Sequence, residues 1–344
     1  MKCKTRTPEI PAVYTGPGLV ELQVNGYAGV NFNALPENYS IDNFRKAMHA
    51  MKKRGIVMAL PTIITDDIDR TLLRFKLFSR YLAADAELAA FYPGVHLEGP
   101  FISREEGPRG AHNMRFCANP CDYPDIIYRF NEAASGRVVI ITLAPELPGA
   151  INLIKNGVQA GIIMSLGHCN PSTDDVDAAI DAGASMCTHL GNGSHQVVPR
   201  LNNYINKQLS ADELAAGFIA DGHHIPFFAL KNFLRAKGLD KSYLTTDAIA
   251  AAEMGCGVFQ LGPNDKVEVT AEGRCQIPGQ ANLAGSALTL DSAILNVVKN
   301  CGITWEDAWK MASVNPANFA HLPTPHAVTV KIDVAANHFE LAKM

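Results

Sequence analysis

Short apolar runs rich in β-branched residues alternate along this chain with longer segments whose apolar positions recur every three or four residues. Eight runs read as strands: 18–25, 57–64, 93–98, 138–144, 161–168, 184–190, 216–221 and 242–247. Each is six to eight residues long and rich in apolar and β-branched residues, as strands buried on both faces are. The segments 41–54, 66–86, 122–135, 149–157, 172–183 and 226–237 lie between them and read as helices. The stretch 172–183 shows why. Ser172 or Thr173 can cap the first turn, and Asp174 and Asp175 complement the positive end of the helix dipole. Val176, Ala179 and Ile180 form a buried stripe, and Gly183 supplies a left-handed stop. Strand–helix alternation repeated eight times predicts parallel strands with right-handed crossovers, and closure into an α/β, TIM-type (β/α)8 barrel.

Beyond the eighth strand the period shortens toward two. Residues 256–284, with turn signals at Gly262-Pro263-Asn264-Asp265 and Glu272-Gly273, predict an antiparallel hairpin excursion. Helices at about 285–300 and 304–314 and one or two strands in 326–341 complete the reading.

Composition narrows the function. The 344 residues are 47% hydrophobic and 19% charged, with a net charge of −4 and no charge blocks, so no nucleic-acid or acidic-membrane partner is expected. No stretch approaches the roughly 20 apolar residues of a membrane span. The opening MKCKTRTPEIPAVY lacks the apolar core of a signal peptide. Eight irregularly spaced cysteines do not read as a disulfide framework, and a reducing cytoplasmic location is expected. Cys117 and Cys121 read as two loop thiols, and His195 and His321 as ordinary loop residues.

Glu98, His168, His189 and Asp247 each end an apolar run, the third, fifth, sixth and eighth. Taken singly, a strand-end histidine is more often a satisfied polar residue than a ligand. A strand-end aspartate is often the N-cap of the next helix, and Glu98 could be an ion-pair partner. In a (β/α)8 barrel, however, the C-terminal strand ends converge on one open face, so four such residues would meet at one mouth. Two imidazoles and a carboxylate are a natural three-ligand catalytic zinc set, with open coordination for water. A further carboxylate near that water is what metal-assisted hydrolysis needs as a base. His112, His223 and His224 lie in the loops that follow such strand ends.

At these residues the chain resembles the N-acetylglucosamine-6-phosphate deacetylase family of the amidohydrolase superfamily, from about residue 16 to 320. The resemblance is carried by PGLVELQVNG at 17–26, GVHLEGPF at 94–101, GAHN at 110–113, SLGHCN at 165–170, THLGN at 188–192, IADGHH at 219–224, TTDA at 245–248 and LAGSALT at 283–289. Single pieces such as EGP are weak; the ordered set is specific. The resemblance implies a metal-dependent hydrolase barrel in which Glu98, His168 and His189 hold one divalent ion, zinc or alternatively iron. It implies Asp247 as general base and then general acid, with the acetyl carbonyl polarised by the metal or by His112. Substrate contacts are implied at Ala111, His112, Asn192, Gly193, Arg200, Asp221, Gly222, His223, His224, Asn282, Leu283 and Ala284. Arg200 suits the phosphate because its planar fork binds two oxygens; it could equally be a rim salt-bridge arginine. In the family this arginine can cross a dimer interface, so a homodimer is implied.

Many superfamily members place His-x-His at the end of strand 1 to hold a second metal. Here the pair is Gln23-x-Asn25, on one strand face, and neutral amides are poor transition-metal ligands, so one metal is expected. The chain departs from the family in two places. Only about 16 residues precede the first strand, so residues 1–16 are expected to be a remnant of an accessory β domain. The barrel then covers 17–320, and 321–344 supply the C-terminal strands of that reduced region. The loop after His189 reads Gly191-Asn192-Gly193-Ser194 in place of Tyr-Asn-Ala-Met, which implies a wider sugar subsite or a different sugar. The expected reaction is hydrolysis of the acetamide of N-acetylglucosamine-6-phosphate to glucosamine-6-phosphate and acetate. The alternatives are N-acetylgalactosamine-6-phosphate, an N-acyl amino acid, or a non-catalytic sugar-phosphate binder.

Overall fold

The structure is a computed structural model that describes residues 8–262, 265–280 and 283–342. Its eight-stranded sheet is built from β1 (Leu19–Val24), β2 (Ile56–Ile64), β3 (Val95–Glu98), β4 (Val138–Leu143), β5 (Ile163–Leu166), β6 (Met186–Cys187), β7 (Ala215–Ile219) and β8 (Ser242–Thr245). Neighbours in the sheet are neighbours in sequence, β8-β7-β6-β5-β4-β3-β2-β1, and the pairings from β2 to β7 are parallel. The last strand returns to the first: Asp247 N donates to Gln23 O at 2.9 Å and Asn25 N to Ala248 O at 2.7 Å, beside a parallel bridge between Val24 and Ala248. The fold class is the (β/α)8 barrel.

Each strand is followed by a helix: α1 (Ile41–Lys53), α2 (Ile68–Ala84), α3 (Ile126–Ala133), α4 (Ala150–Gln159), α5 (Thr173–Asp181), α6 (Tyr204–Ser210), α7 (Phe227–Lys237) and α8 (Leu290–Asn296). Ser172 caps α5 in a reciprocal capping box with Asp175, and Gly183 takes φ +105° just past its end. The sequence reading did not include α6. It is seven residues long, too short for a periodic stripe, and is started by the Asn203 side chain accepting from Asn206 N.

The helix expected at 285–300 begins only at Leu290. The residues before it are already paired, because Ile249 N donates to Ser286 O and Leu283 bridges Gln276. Its far end widens into a π-turn, Val297–Cys301, stopped by Gly302. The hairpin excursion consists of Gly257–Gly262, Asp265–Val269 and Cys275–Gln276, all antiparallel, over a small core of Ala251, Val267, Val269 and Cys275. The expected turn residues Pro263 and Asn264 lie outside the described residues.

The chain forms two compact units. One comprises Met1–Val30, Lys46–Ala59 and Phe218–Met344; the other comprises Asn31–Arg45 and Leu60–Gly217. In the first, the strand Val13–Pro17 pairs antiparallel with Ala327–Asp333, which pairs with His338–Leu341. Tyr14, Trp305, Trp309 and Phe339 pack ring against ring beneath this small sheet, and Trp309 Nε1 donates to Pro17 O at 2.8 Å. In the second, Phe32, Phe44, Phe78 and Tyr92 form the matching aromatic cluster. No helix among the described residues is long and apolar enough to cross a membrane.

Candidate metal centre

The second unit gathers Glu98, His168 and His189, whose ligand atoms all lie within 4.8 Å of one another. Glu98 is the last residue of β3, and His168 and His189 follow β5 and β6 by two residues. His189 Nε2 is 2.9 Å from Glu98 Oε1, His168 Nε2 is 3.3 Å from the same oxygen, and the two Nε2 atoms are 3.0 Å apart. His168 and His189 both adopt left-handed backbone, φ +50° and +31°, which costs a non-glycine residue about 1–3 kcal/mol.

His168 Nδ1 lies 2.8 Å from the carbonyl of Pro108. A carbonyl only accepts, so Nδ1 carries the proton and Nε2 keeps its lone pair for the cluster. All three ligand-bearing residues are buried, Glu98 and His189 at 2% exposure. Burial acts to raise the Glu98 carboxyl, but hydrogen bonds and charge from His168 and His189 prevail and hold it well below the usual carboxylate range. Two nitrogen donors and a carboxylate converging on one buried point, at separations fit for bonds of about 2.0–2.2 Å to a shared ion, match a divalent metal.

His112 stands beside the cluster. Its ring centroid is 4.3 Å from that of His168, its Nε2 is 3.9 Å from Glu98 Oε2, and its Nδ1 meets Thr65 Oγ1 at 2.9 Å. Burial, then the charge of His168, lowers its pKa from 6.5 to about 3, so it is a neutral imidazole at physiological pH. Ala111 beside it is exposed. In the next loop, Asn192 Nδ2 donates to His189 O at 3.1 Å. Gly193 lies so close to His168 that a Cβ would fall 2.6 Å from Nδ1, and its φ is +52°. Gly193→Ala is therefore expected to displace the His168 ring and weaken metal binding by about 10–100-fold, the cost of losing an outer-shell partner. A metal titration with unchanged circular dichroism checks this. Arg200 is exposed, close to the exposed side chains of Val197 and Leu201.

Below the cluster lies a polar layer that the strand pattern did not reveal. His96 Nε2 meets Thr142 Oγ1 at 2.7 Å, Thr142 meets Thr188 at 2.6 Å, and Thr188 meets Ser165 at 2.6 Å. These side chains are fully buried or nearly so, and they tie β3, β4 and β5 to the segment that carries His189. The available signal was a hydroxyl or imidazole recurring inside otherwise apolar strands.

The first unit holds the other named residues. Asp247 follows β8 by two residues with φ +49°. Its Oδ1 accepts from Asn25 Nδ2 at 2.6 Å and from Gln23 Nε2 at 3.1 Å. Beneath them Glu21 accepts from Thr246 N and Gln23 N at 3.0 Å and from the Thr245 hydroxyl; burial raises its carboxyl to about 7 against these bonds. Asp221 accepts from His223 N and His224 N at 2.8 Å and from His224 Nδ1 at 2.6 Å, around Gly222. His223 Nε2 donates to Glu272 O in the hairpin excursion. Ala284 packs on the hairpin core and Leu283 is partly buried. Asn282 lies outside the described residues.

The barrel and its buried carboxylate–imidazole cluster define a class of metal-dependent hydrolases, and the chain belongs to it: residues 15–324 match the amidohydrolase family. It is 32% identical over 307 residues to an N-acetylgalactosamine-6-phosphate deacetylase from Shewanella sp. (strain ANA-3), covering 89% of this chain and 74% of the relative. It is 31% identical over 320 residues to the N-acetylglucosamine-6-phosphate deacetylase of Bos taurus, again 89% and 74%. A solved structure of a mutant N-acetyl-D-glucosamine-6-phosphate deacetylase from Mycobacterium smegmatis, in complex with N-acetyl-D-glucosamine-6-phosphate, superposes with a TM-score of 0.83 at 28% identity. The match covers 94% of this chain and 84% of that one.

Proposed function

We propose that the protein is a cytoplasmic enzyme that hydrolyses the acetamide of an N-acetylated amino-sugar 6-phosphate, N-acetylglucosamine-6-phosphate first, to the free amino-sugar phosphate and acetate. The observation that carries this reading is the buried Glu98–His168–His189 cluster in a chain whose relatives at 28–32% identity bear that activity in their names. Glu98, His168 and His189 would hold one divalent ion, zinc before iron, since imidazole and carboxylate together suit zinc well. Such an ion supplies Lewis acidity and a water acidified from about 15.7 toward 7.

The chain's own residues do the rest. Asp247 accepts the proton of the attacking water and returns it to the departing amine. His112, held through Nδ1 by the Thr65 hydroxyl at 2.9 Å, stands beside the acetyl oxygen in this reading. The sugar contacts proposed in this reading are Ala111, Asn192, Gly193, Asp221 to His224, Leu283 and Ala284. Arg200 binds the phosphate, and the exposed Val197 and Leu201 near it support a homodimer in which it reaches the neighbouring subunit's substrate. In this reading the three-stranded sheet of Val13–Pro17, Ala327–Asp333 and His338–Leu341 is the accessory β region beside a barrel of 17–320.

The galactosamine epimer is the second reading, favoured by the Shewanella relative. Acetate release from N-acetylglucosamine and N-acetylgalactosamine, each with and without the 6-phosphate, tests both after metal reconstitution. The expected result is turnover of the 6-phosphates alone, with the glucosamine epimer preferred. Preference for the other epimer selects the second reading, and equal rates without phosphate overturn both. Arg200→Ala is expected to raise KM about 10–100-fold for the phosphorylated sugar, the loss of a charge-assisted bidentate contact of roughly 1.5–3 kcal/mol. Steady-state kinetics check it, and an unchanged KM removes Arg200 from the phosphate site.

A further inference from the structure

Gln23 and Asn25 occupy the strand-1 positions where many superfamily members carry a metal-binding His-x-His. Strand alternation puts Glu21 and Gln23 on one face of β1, and Asn25 follows one residue past its end. Both amide groups turn their nitrogens toward the same atom, Asp247 Oδ1, at 3.1 and 2.6 Å. That orientation follows from the partner, because an ionised carboxylate oxygen only accepts.

The backbone around them is joined tightly. Asp247 N donates to Gln23 O, Asn25 N and Gly26 N to Ala248 O, Gly29 N to Ala250 O and Ala28 N to Ala252 O, all between 2.7 and 3.0 Å. At Gly26 the approach is too close for any side chain, since a Cβ would fall 2.4 Å from Val30 O and 2.7 Å from Ala250 N. From below, Glu21 grips the Thr245 hydroxyl and Thr246 N, the two residues that lead into Asp247. Asp247 itself sits in left-handed backbone, φ +49°, which persists only where the surroundings over-determine it.

We propose that Gln23 and Asn25 are positioning residues that fix the rotation of the Asp247 carboxylate for proton transfer, in place of the metal that His-x-His relatives use at that point. The inference rests on the reading of Asp247 as the proton-transfer group. Two N–H bonds on one oxygen hold the side chain in a single rotamer. The 2.6 Å bond of Asn25 makes it the stronger of the two. A misplacement of about 1 Å at a reacting group can cost about 10²-fold in rate, which sets the scale expected here.

The test is a kinetic cycle on the metal-loaded, full-length protein. Asn25→Leu is expected to lower kcat about 10–100-fold with KM and metal content unchanged, and Gln23→Leu to lower it less. In an Asp247→Asn background, Asn25→Leu is expected to cause no further loss, because the group it positions is gone. If Asn25→Leu fails to fold, Asn25→Ser removes the reach of the amide without adding bulk and is read in the same way. Loss of turnover in Asp247→Asn together with full kcat in the Asn25 and Gln23 variants overturns the positioning role and leaves Asp247 in place. An Asn25 loss that repeats in full in the Asp247→Asn background also overturns it. Full activity in Asp247→Asn itself removes the proton-transfer reading, and this inference with it.

Discussion

Asp247→Asn is expected to keep its divalent metal and to lose about 10²–10⁴-fold in kcat, the usual worth of a positioned general base. The substitution changes one atom and leaves the side-chain shape, so the strand-end geometry is not disturbed by volume. The amide cannot take up the proton of water or return one to the leaving amine. Its amide oxygen can still accept from Asn25 Nδ2 and Gln23 Nε2, which are donors 2.6 and 3.1 Å from Oδ1 in the native protein. The amide would then turn its oxygen toward them and remain ordered. Metal analysis beside steady-state kinetics separates the outcomes. Unchanged turnover removes Asp247 from the chemistry; lost metal would make it a ligand instead.

The second large effect is expected at His189. Its Nε2 lies 2.9 Å from Glu98 Oε1 and 3.0 Å from His168 Nε2, so it shares one point with both other donors. His189→Ala is expected to weaken metal affinity by more than about 100-fold, since losing an outer-shell partner alone costs about 10–100-fold. Turnover should fall with the metal and return in part at high metal concentration. The thermal midpoint of the native protein should also drop on chelation, because a ligand bound only to the folded state adds stability by mass action. His189→Ala should abolish that chelation response. A variant that binds metal as tightly as the parent would show that the cluster does not hold the ion.

Much of the fold was readable because burial on both faces forces strands to be short apolar runs, and the α/β rhythm then allows few topologies. The expected strands 138–144 and 242–247 differ from the observed Val138–Leu143 and Ser242–Thr245 only at their ends. Short elements were harder to read. The helix Tyr204–Ser210 has too few turns for a periodic signal, and the bounds of the strand Val13–Pro17, expected only as part of an accessory β remnant over 1–16, are set by its pairing with Ala327–Asp333. Glu98, His168 and His189 stood out because each interrupts the end of an apolar run. The layer of His96, Thr142, Ser165 and Thr188 did not, because a single hydroxyl inside a strand carries no sign of its partner.

The sequence by itself determined the order of strands and helices and placed polar, ionisable residues at strand ends, because periodicity and burial are local properties of a chain. Tertiary structure alone decided which nitrogen of His168 faces the cluster, since that depends on the Pro108 carbonyl 60 residues away. It also decided that Gly193 backs that ring and that Gln23 and Asn25 turn their amides onto Asp247. Those facts are distances between groups remote along the chain, and only the closing of the fold brings them within the few ångströms over which hydrogen bonds and metal ligation act.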